Sequence, residues 1–566
     1  MGAALIWLAL SGQPAAAQTT AEQRRVDFEQ LAGAVAKTYA PYAWKMEAFG
    51  YDALRLKPWL ERVARAKDDL EYYEICMEYV AALRDLHSGY FLKSDFTAEL
   101  PIYVDLYDGK ALVEYIDRGS LPASRYPFEV GDEVVTVDGV TPEAWMDYAG
   151  KLQSFANERA TRRWALDQIA YRVQSSLPRA HEIGETAELV VKRAATGAVE
   201  TYRLPWYKSG TPLTGIGPVP TPDRWRAGKA AEAVGAVSGP GEFERSVLTR
   251  RRAPAEKRLR GFGVTAPVFT LPDDFVVRLG RGRTDSIYTG SYTASGYKVG
   301  YIRIPQFPST AAGQTQMLRQ VDTEVAWLKA NTDGLVVDVM RNPGGDQCLT
   351  NEILRRFIPY PFRTTGDEIR PTLDIVQWFR DDVTNAENFG ADDVTLTYLR
   401  GFLGDIETAY HEYRGITGPL PVCGYSLELW PAADAQGDVL AYDKPMIVLI
   451  DEFSTSAGDS FPAVIQDAWR ALMVGRATAG GGGLSQEYPV GFYSEASVSL
   501  SFSLGTRAHT WQAPGLPPAD YIENIGVQPD IELDYMTRRN LMTGGRDFVD
   551  GFTQAIVDQI RRSTGR

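Results

Sequence analysis

The chain has 566 residues, 44% apolar and 23% charged, the balance of an ordinary folded protein and too long for a single core, so two to four domains are expected. A formal net charge of −14 argues against nucleic acid as a partner, because phosphate binding needs a basic face. Three cysteines, Cys76, Cys348 and Cys423, show no metal-ligand spacing.

Residues 1–18 carry an apolar stretch too short to span a bilayer, followed by Ala15-Ala16-Ala17. That is the pattern of a signal peptide, although no Lys or Arg precedes the apolar part. The expected location is exported, periplasmic or extracellular, and no later stretch is long enough for a transmembrane span. An oxidising compartment would allow Cys348 and Cys423 to pair, which the sequence leaves open. Residues 19–97 read as helical, with Leu70, Tyr73, Met77, Val80 and Leu83 on one apolar face. That helix should stop near Leu86, before His87-Ser88-Gly89. Residues 98–206 are β-rich, with strands at 111–115 and 133–137, a tight turn to a further strand at 137–140, a helical insertion from 142 to about 177, and a strand pair at 187–191 and 200–204. Residues 207–263, rich in Gly, Pro, Ala and Arg without sustained periodicity, read as a linker. From 264 to 566 buried strands at 299–304, 334–339, 446–450 and 472–474 alternate with helices at 317–328 and 351–357, interrupted by an insertion at 359–440. A last helix carries Phe548, Phe552, Ile556 and Ile560. The fold class is α/β multidomain, with a largely parallel sheet in a self-contained carboxy-terminal domain.

Four segments carry chemistry. The apolar run at 446–450 turns through Ser454, Thr455 and Ser456 into a helical pattern, with Pro462 expected in its first turn. Ser456 thus sits at a strand–helix junction, where N–H groups and the helix dipole favour negative charge. Its hydroxyl could attack a carbonyl or simply cap the helix. Arg341-Asn342-Pro343-Gly344-Gly345 ends a buried strand in a glycine pair that lets backbone approach a ligand. His87 lies at a helix end, where alone it would read as a terminal cation. Glu523 precedes Gly526-Val527 and alone would read as a surface carboxylate.

Together and in this order, these segments resemble the C-terminal processing (tail-specific) serine peptidase family. The resemblance implies a crotonase-like catalytic domain, a helical amino-terminal cap and a PDZ-like β-rich domain, the last through the run from Phe128 to Gly139. Residues 207–263 and 359–440 are not covered. One departure is informative: where the better-known branch has a lysine within a Gly-Lys-Gly turn, this chain has Gly480-Gly481-Gly482-Gly483. Arg476 cannot replace it, because guanidinium does not release its proton. The chain therefore resembles the tricorn-core-like branch with a Ser/His/Glu triad. That implies Ser456 as nucleophile, His87 as base, Glu523 as its orienting carboxylate, and N–H groups of Ala457 and of Gly344 or Gly345 as the oxyanion hole. His181, His411 and His509 lie in no matching motif. The implied activity is a serine endopeptidase acting on protein substrates through an acyl-enzyme, with peptide chains captured by the PDZ-like domain and no metal or organic cofactor. Whether it forms a homodimer is left open. The alternatives are a non-catalytic carrier of an apolar ligand or peptide on the same fold, and an esterase or amidase on small substrates.

Overall fold

Two five-residue strands, Gly334–Asp338 and Met446–Ile450, are buried along their whole length and sit side by side, parallel, at the centre of a seven-stranded sheet. The computed structural model describes residues 19–214, 261–424, 426–494 and 496–565; the leader read at 1–18 and most of the linker read at 207–263 lie outside the described residues. The sheet runs Val276–Leu279, Tyr288–Ala294, Tyr297–Arg303, Gly334–Asp338, Met446–Ile450, Leu472–Gly475, Ile531–Glu532, parallel from the third strand onward. Side-chain alternation divides these apolar runs between two cores. Leu335, Val337, Met446, Val448 and Ile450 meet Met317, Val321, Val325 and Leu328 of the Ala311–Asn331 helix. Val336, Ile447, Leu449 and Val474 meet Phe548, Phe552, Ile556 and Ile560 of the Arg546–Thr564 helix. Each such buried side chain is worth about 1.5–3 kcal/mol relative to exposure.

The amino-terminal part is a cap of four helices, Ala21–Thr38, Tyr42–Phe49, Lys57–Arg65 and Asp69–Ala81. The last ends five residues earlier than the periodicity suggests, because Arg84 adopts a φ of 51° and turns the chain. The next strand, Gly89–Leu92, leaves the cap and pairs antiparallel with Ala496–Ser501. One apolar core therefore runs through Phe28, Tyr73 and Met77 of the cap, Val104 and Val113 of the β-rich block, and Val490, Val498 and Leu500 near the carboxy terminus. Residues 264–566 are consequently not self-contained: taken alone, they would expose that hairpin.

The β-rich block is a five-stranded antiparallel sheet, Ile102–Tyr107, Lys110–Ile116, Glu133–Val137, Thr186–Lys192 and Val199–Pro205. It differs from expectation in three places. The turn at Val137–Val140, with Asp138 and Gly139 at positive φ, leads into a helix, Pro142–Leu152, rather than a strand. The insertion is two helices, the second Glu158–Asp167, followed by a short strand, Tyr171–Val173. Tyr207–Ser209, read as linker, pairs with Thr97–Glu99 and extends the block. The 359–440 insertion holds a helix pair, Leu373–Asn388 and Asp393–His411, and its Gly366–Ile369 strand pairs with Ser503–Trp511. Cys348 and Cys423 form a disulfide that ties this insertion to the Gln347–Leu354 helix. Among the described residues, no helix is long and apolar enough to cross a membrane.

Candidate active site

Ser456 is the N-cap residue of the Ala457–Asp467 helix, yet its side chain makes no capping hydrogen bond. Its backbone has φ 57° and ψ −122°, a conformation costing about 1–3 kcal/mol that persists only where the surroundings impose it. They do so here. The Thr455 N–H donates to Asn342 O at 2.9 Å, and the N–H groups of Asp459 and Ser460 converge on Ser456 O at 2.8 and 3.0 Å. The neighbouring hydroxyls are committed: Ser454 Oγ donates to Val339 O at 2.9 Å and Thr455 Oγ1 reaches Asn342 O at 3.5 Å. Ser456 Oγ has no partner among the described residues. Pro462 lies in the second turn rather than the first, because the helix begins directly at Ala457.

The Arg341–Gly345 turn packs onto this elbow. A side chain at 344 would bring its Cβ to 2.6 Å from that of Ser456, and one at 345 to 1.8 Å from Phe307 O, so both positions require glycine. The Gly344 N–H is spent on Asn342 Oδ1 at 2.8 Å. The Gly345 and Ala457 N–H groups have no acceptor among the described residues, and Gly345 is exposed.

Leu86 and Glu523 both reach the Gly480–Gly483 turn. Leu86, next to His87, lies over Gly481, where an added Cβ would stand 2.4 Å from Leu86 Cδ2. His87 is fixed by its backbone: its N–H donates to Asp85 Oδ1 at 2.8 Å, and its C=O accepts from Ser499 Oγ at 2.7 Å. Its Nδ1 is buried without a hydrogen-bond partner. Glu523 does not make the expected bond to His87. Its Oε1 lies 2.5 Å from Lys45 Nζ and its Oε2 accepts a long 3.4 Å contact from Gly482 N–H. The cap brings an ammonium to this carboxylate, and no periodicity signalled it. Burial, and then the charge of Asp85, push Glu523 up to about 8, with Lys45 opposing. Behind the glycine turn, Asp459 accepts from Gly480 N–H at 2.9 Å and Gly481 N–H at 3.2 Å, and burial raises it to about 7. The other histidines lie elsewhere: His181 Nδ1 meets Gln174 Nε2 at 2.8 Å, His509 packs near Trp469, and His411 ends the insertion's second helix.

A second buried charge cluster adjoins the elbow from the β-rich block. Arg163 contacts Asp105 at 2.7 Å and Glu452 at 2.9 Å, while Arg159 contacts Glu452 at 2.5 Å and Asp534 at 2.8 Å. Against the upward push of burial, Arg163 and then Arg159 hold Glu452 down at about 2.

Residues 298–533 match the family model described as peptidase family S41, and residues 96–211 match a PDZ domain. Residues 298–533 form a peptidase family S41 domain. The chain is a serine-type hydrolase with an α/β peptidase domain and a PDZ domain. A Chlamydia muridarum protein is 24% identical, covering 93% of this chain and 91% of its own. The chloroplastic carboxyl-terminal-processing peptidase 3 of Arabidopsis thaliana is 21% identical over 47% of this chain and 35% of its own. The structure of mature CPAF complexed with lactacystin superposes with a TM-score of 0.72 at 22% identity, covering 96% of this chain and 99% of that one, which establishes a shared fold.

Proposed function

We propose that this chain is an exported endopeptidase in which Ser456 attacks the peptide carbonyl, His87 takes the hydroxyl proton and later returns it to the leaving amine, and Glu523 orients the imidazole. The observation that carries the proposal is the elbow itself. A strained N-cap serine with an uncommitted hydroxyl lies beside two uncommitted N–H groups, those of Gly345 and Ala457. Gly345 rather than Gly344 is the second oxyanion donor, since the Gly344 N–H already serves Asn342. Losing one such donor typically costs about 100- to 1,000-fold in rate. The buried, unpartnered Nδ1 of His87 supports its role, because a base needs its second nitrogen oriented by an acceptor. In the resting arrangement that acceptor, Glu523, faces Lys45 instead, so a working triad requires the imidazole and the carboxylate to close on each other.

Export is supported by the leader pattern and by the Cys348–Cys423 bridge, since disulfides are favoured in an oxidising compartment. Protein or peptide substrates fit a chain that joins a PDZ domain to a peptidase domain. Labelling with a serine-reactive fluorophosphonate, followed by peptide mapping, tests the reading. The native chain should label at Ser456, and neither Ser456→Ala nor His87→Ala should label at a comparable rate. Equal labelling of all three chains would overturn it.

A further inference from the structure

We infer that Lys45, in the second cap helix, is a positioning residue for the peptidase reaction: it holds Glu523 in place and opposes its protonation, and thereby makes the triad depend on the docked cap. The inference rests on the Ser456/His87/Glu523 reading. Its basis is geometric. Lys45 is 1% exposed and Glu523 fully buried, with Nζ 2.5 Å from Oε1. The same ammonium donates to Asn524 Oδ1 at 2.6 Å and to Arg84 O at 3.0 Å. Asn524, at φ 63°, donates in turn to Arg84 O at 2.8 Å and to Gly480 O through its backbone at 2.8 Å, and it accepts Trp44 Nε1 at 3.0 Å. A single side chain thus spends its three protons joining the cap helix, the turn that carries His87 and the segment that carries Glu523.

The surrounding charges explain why a cation is needed. Asp85 faces Glu523 from the His87 turn and raises it. Tyr39, from the end of the first cap helix, is buried close enough to feel both Asp85 and Glu523. Gly482 N–H touches Oε2, and Asp459 lies behind the neighbouring glycines. His87 stands two residues from Asp85. Asp367, buried on the insertion's Gly366–Ile369 strand, faces His87. Three carboxylates therefore flank this region besides Glu523, and Lys45 is the cation in contact with Glu523. A protonated Glu523 is a weaker acceptor for the His87 N–H and carries no charge to stabilise an imidazolium, so loss of Lys45 should act through protonation.

The test uses the full chain with Lys45→Met and Lys45→Arg, each with and without Glu523→Gln, and reads kcat and KM across the neutral and alkaline range alongside fluorophosphonate labelling. Lys45→Met should lower kcat about 10- to 100-fold at neutral pH, the usual scale for losing an outer-layer partner of an active-site ligand, with KM little changed. The deficit should shrink as pH rises, because the acid limb moves to higher pH. Lys45→Arg should retain most of the rate, and Lys45→Met should cost nothing further on top of Glu523→Gln. A loss in Lys45→Met that is equal at every pH, or that adds to Glu523→Gln, would make Lys45 a structural residue and overturn the inference; so would a native profile. If Lys45→Met does not fold, Lys45→Gln, which keeps a donor without the charge, takes its place under the same criteria. If Glu523→Gln alone leaves rate and profile unchanged, the triad reading fails and this inference with it. If Glu523→Gln is crippled while both Lys45 variants behave as native, only the role of Lys45 falls.

Discussion

Glu452 and Glu523 are both buried and both contacted by a cation from another part of the chain, yet they hold their protons at opposite ends of the carboxylate range. Glu452 receives two guanidinium groups, from Arg163 and Arg159, and is held near 2. Glu523 receives one ammonium, faces Asp85, and rises to about 8. Arginine delivers several rigid donors and keeps its charge, so it can secure a buried carboxylate. A lone lysine beside a second acid leaves the carboxylate able to titrate near neutrality. The first cluster fastens the PDZ domain to the loop before Ser456; the second joins the cap to the segment that carries Glu523.

The largest expected effect separates the two clusters by function. Ser456→Ala and His87→Ala should each reduce kcat on the order of 10⁶-fold, the scale seen when one triad member is lost, with little change in thermal stability. Single-turnover kinetics and a melting curve on the same preparations check this. Breaking the other cluster should do the reverse. Glu452→Gln leaves Arg163 buried with a weakened partner and should lower stability by up to about 3–5 kcal/mol, read from urea unfolding, while the folded fraction still labels at Ser456.

The pH dependence of stability sharpens the contrast, because the two glutamates carry opposite signs. Glu523 binds its proton more tightly folded than unfolded, so its contribution is complete below the ordinary glutamate value of 4.5 and is lost as pH rises through about 8. Glu452 contributes above that ordinary value and loses its contribution as pH falls through about 2. Glu523→Gln should therefore flatten the decline in urea midpoint between the acidic range and pH 8, whereas Glu452→Gln should leave that decline in place. The smallest effect concerns the glycine turn. Gly481→Lys should give no gain in activity, since its Cβ would meet Leu86 at 2.4 Å, and should cost about 1–3 kcal/mol of stability as an overpacked site. A large gain in kcat would indicate that the native chain lacks a working base.

What the sequence made legible was local. The apolar run into Ser456 and the glycine pair at 344–345 each carry their geometry within a few residues, because strand, turn and helix start are short-range features. His87 stood out through its motif, and its role rests on the proposal above. Lys45 and Asp85 did not: a charged residue in a short helix reads as solvent-facing until its partner is known, and that partner is 478 residues away for Lys45. The same limit explains the cap strand Gly89–Leu92, whose partner is Ala496–Ser501, and the error of treating 264–566 as independent. Pro462 was misplaced by one turn because nothing local reveals that the helix begins directly at Ala457.

The bond from Lys45 to Glu523 also bears on when the protein becomes active. A chain is made from its amino terminus, so the cap and the PDZ domain emerge first, and the serine elbow follows with nothing yet at position 523. The cap strand waits for residues 496–501 to complete its ladder, and the cap lysine waits for its carboxylate. On the proposed assignment, a growing or truncated chain would carry a nucleophile without an oriented base. Peptidase activity would appear only once nearly the whole polypeptide has been synthesised and its two ends have met, a form of latency that needs no separate inhibitor while the chain is being made.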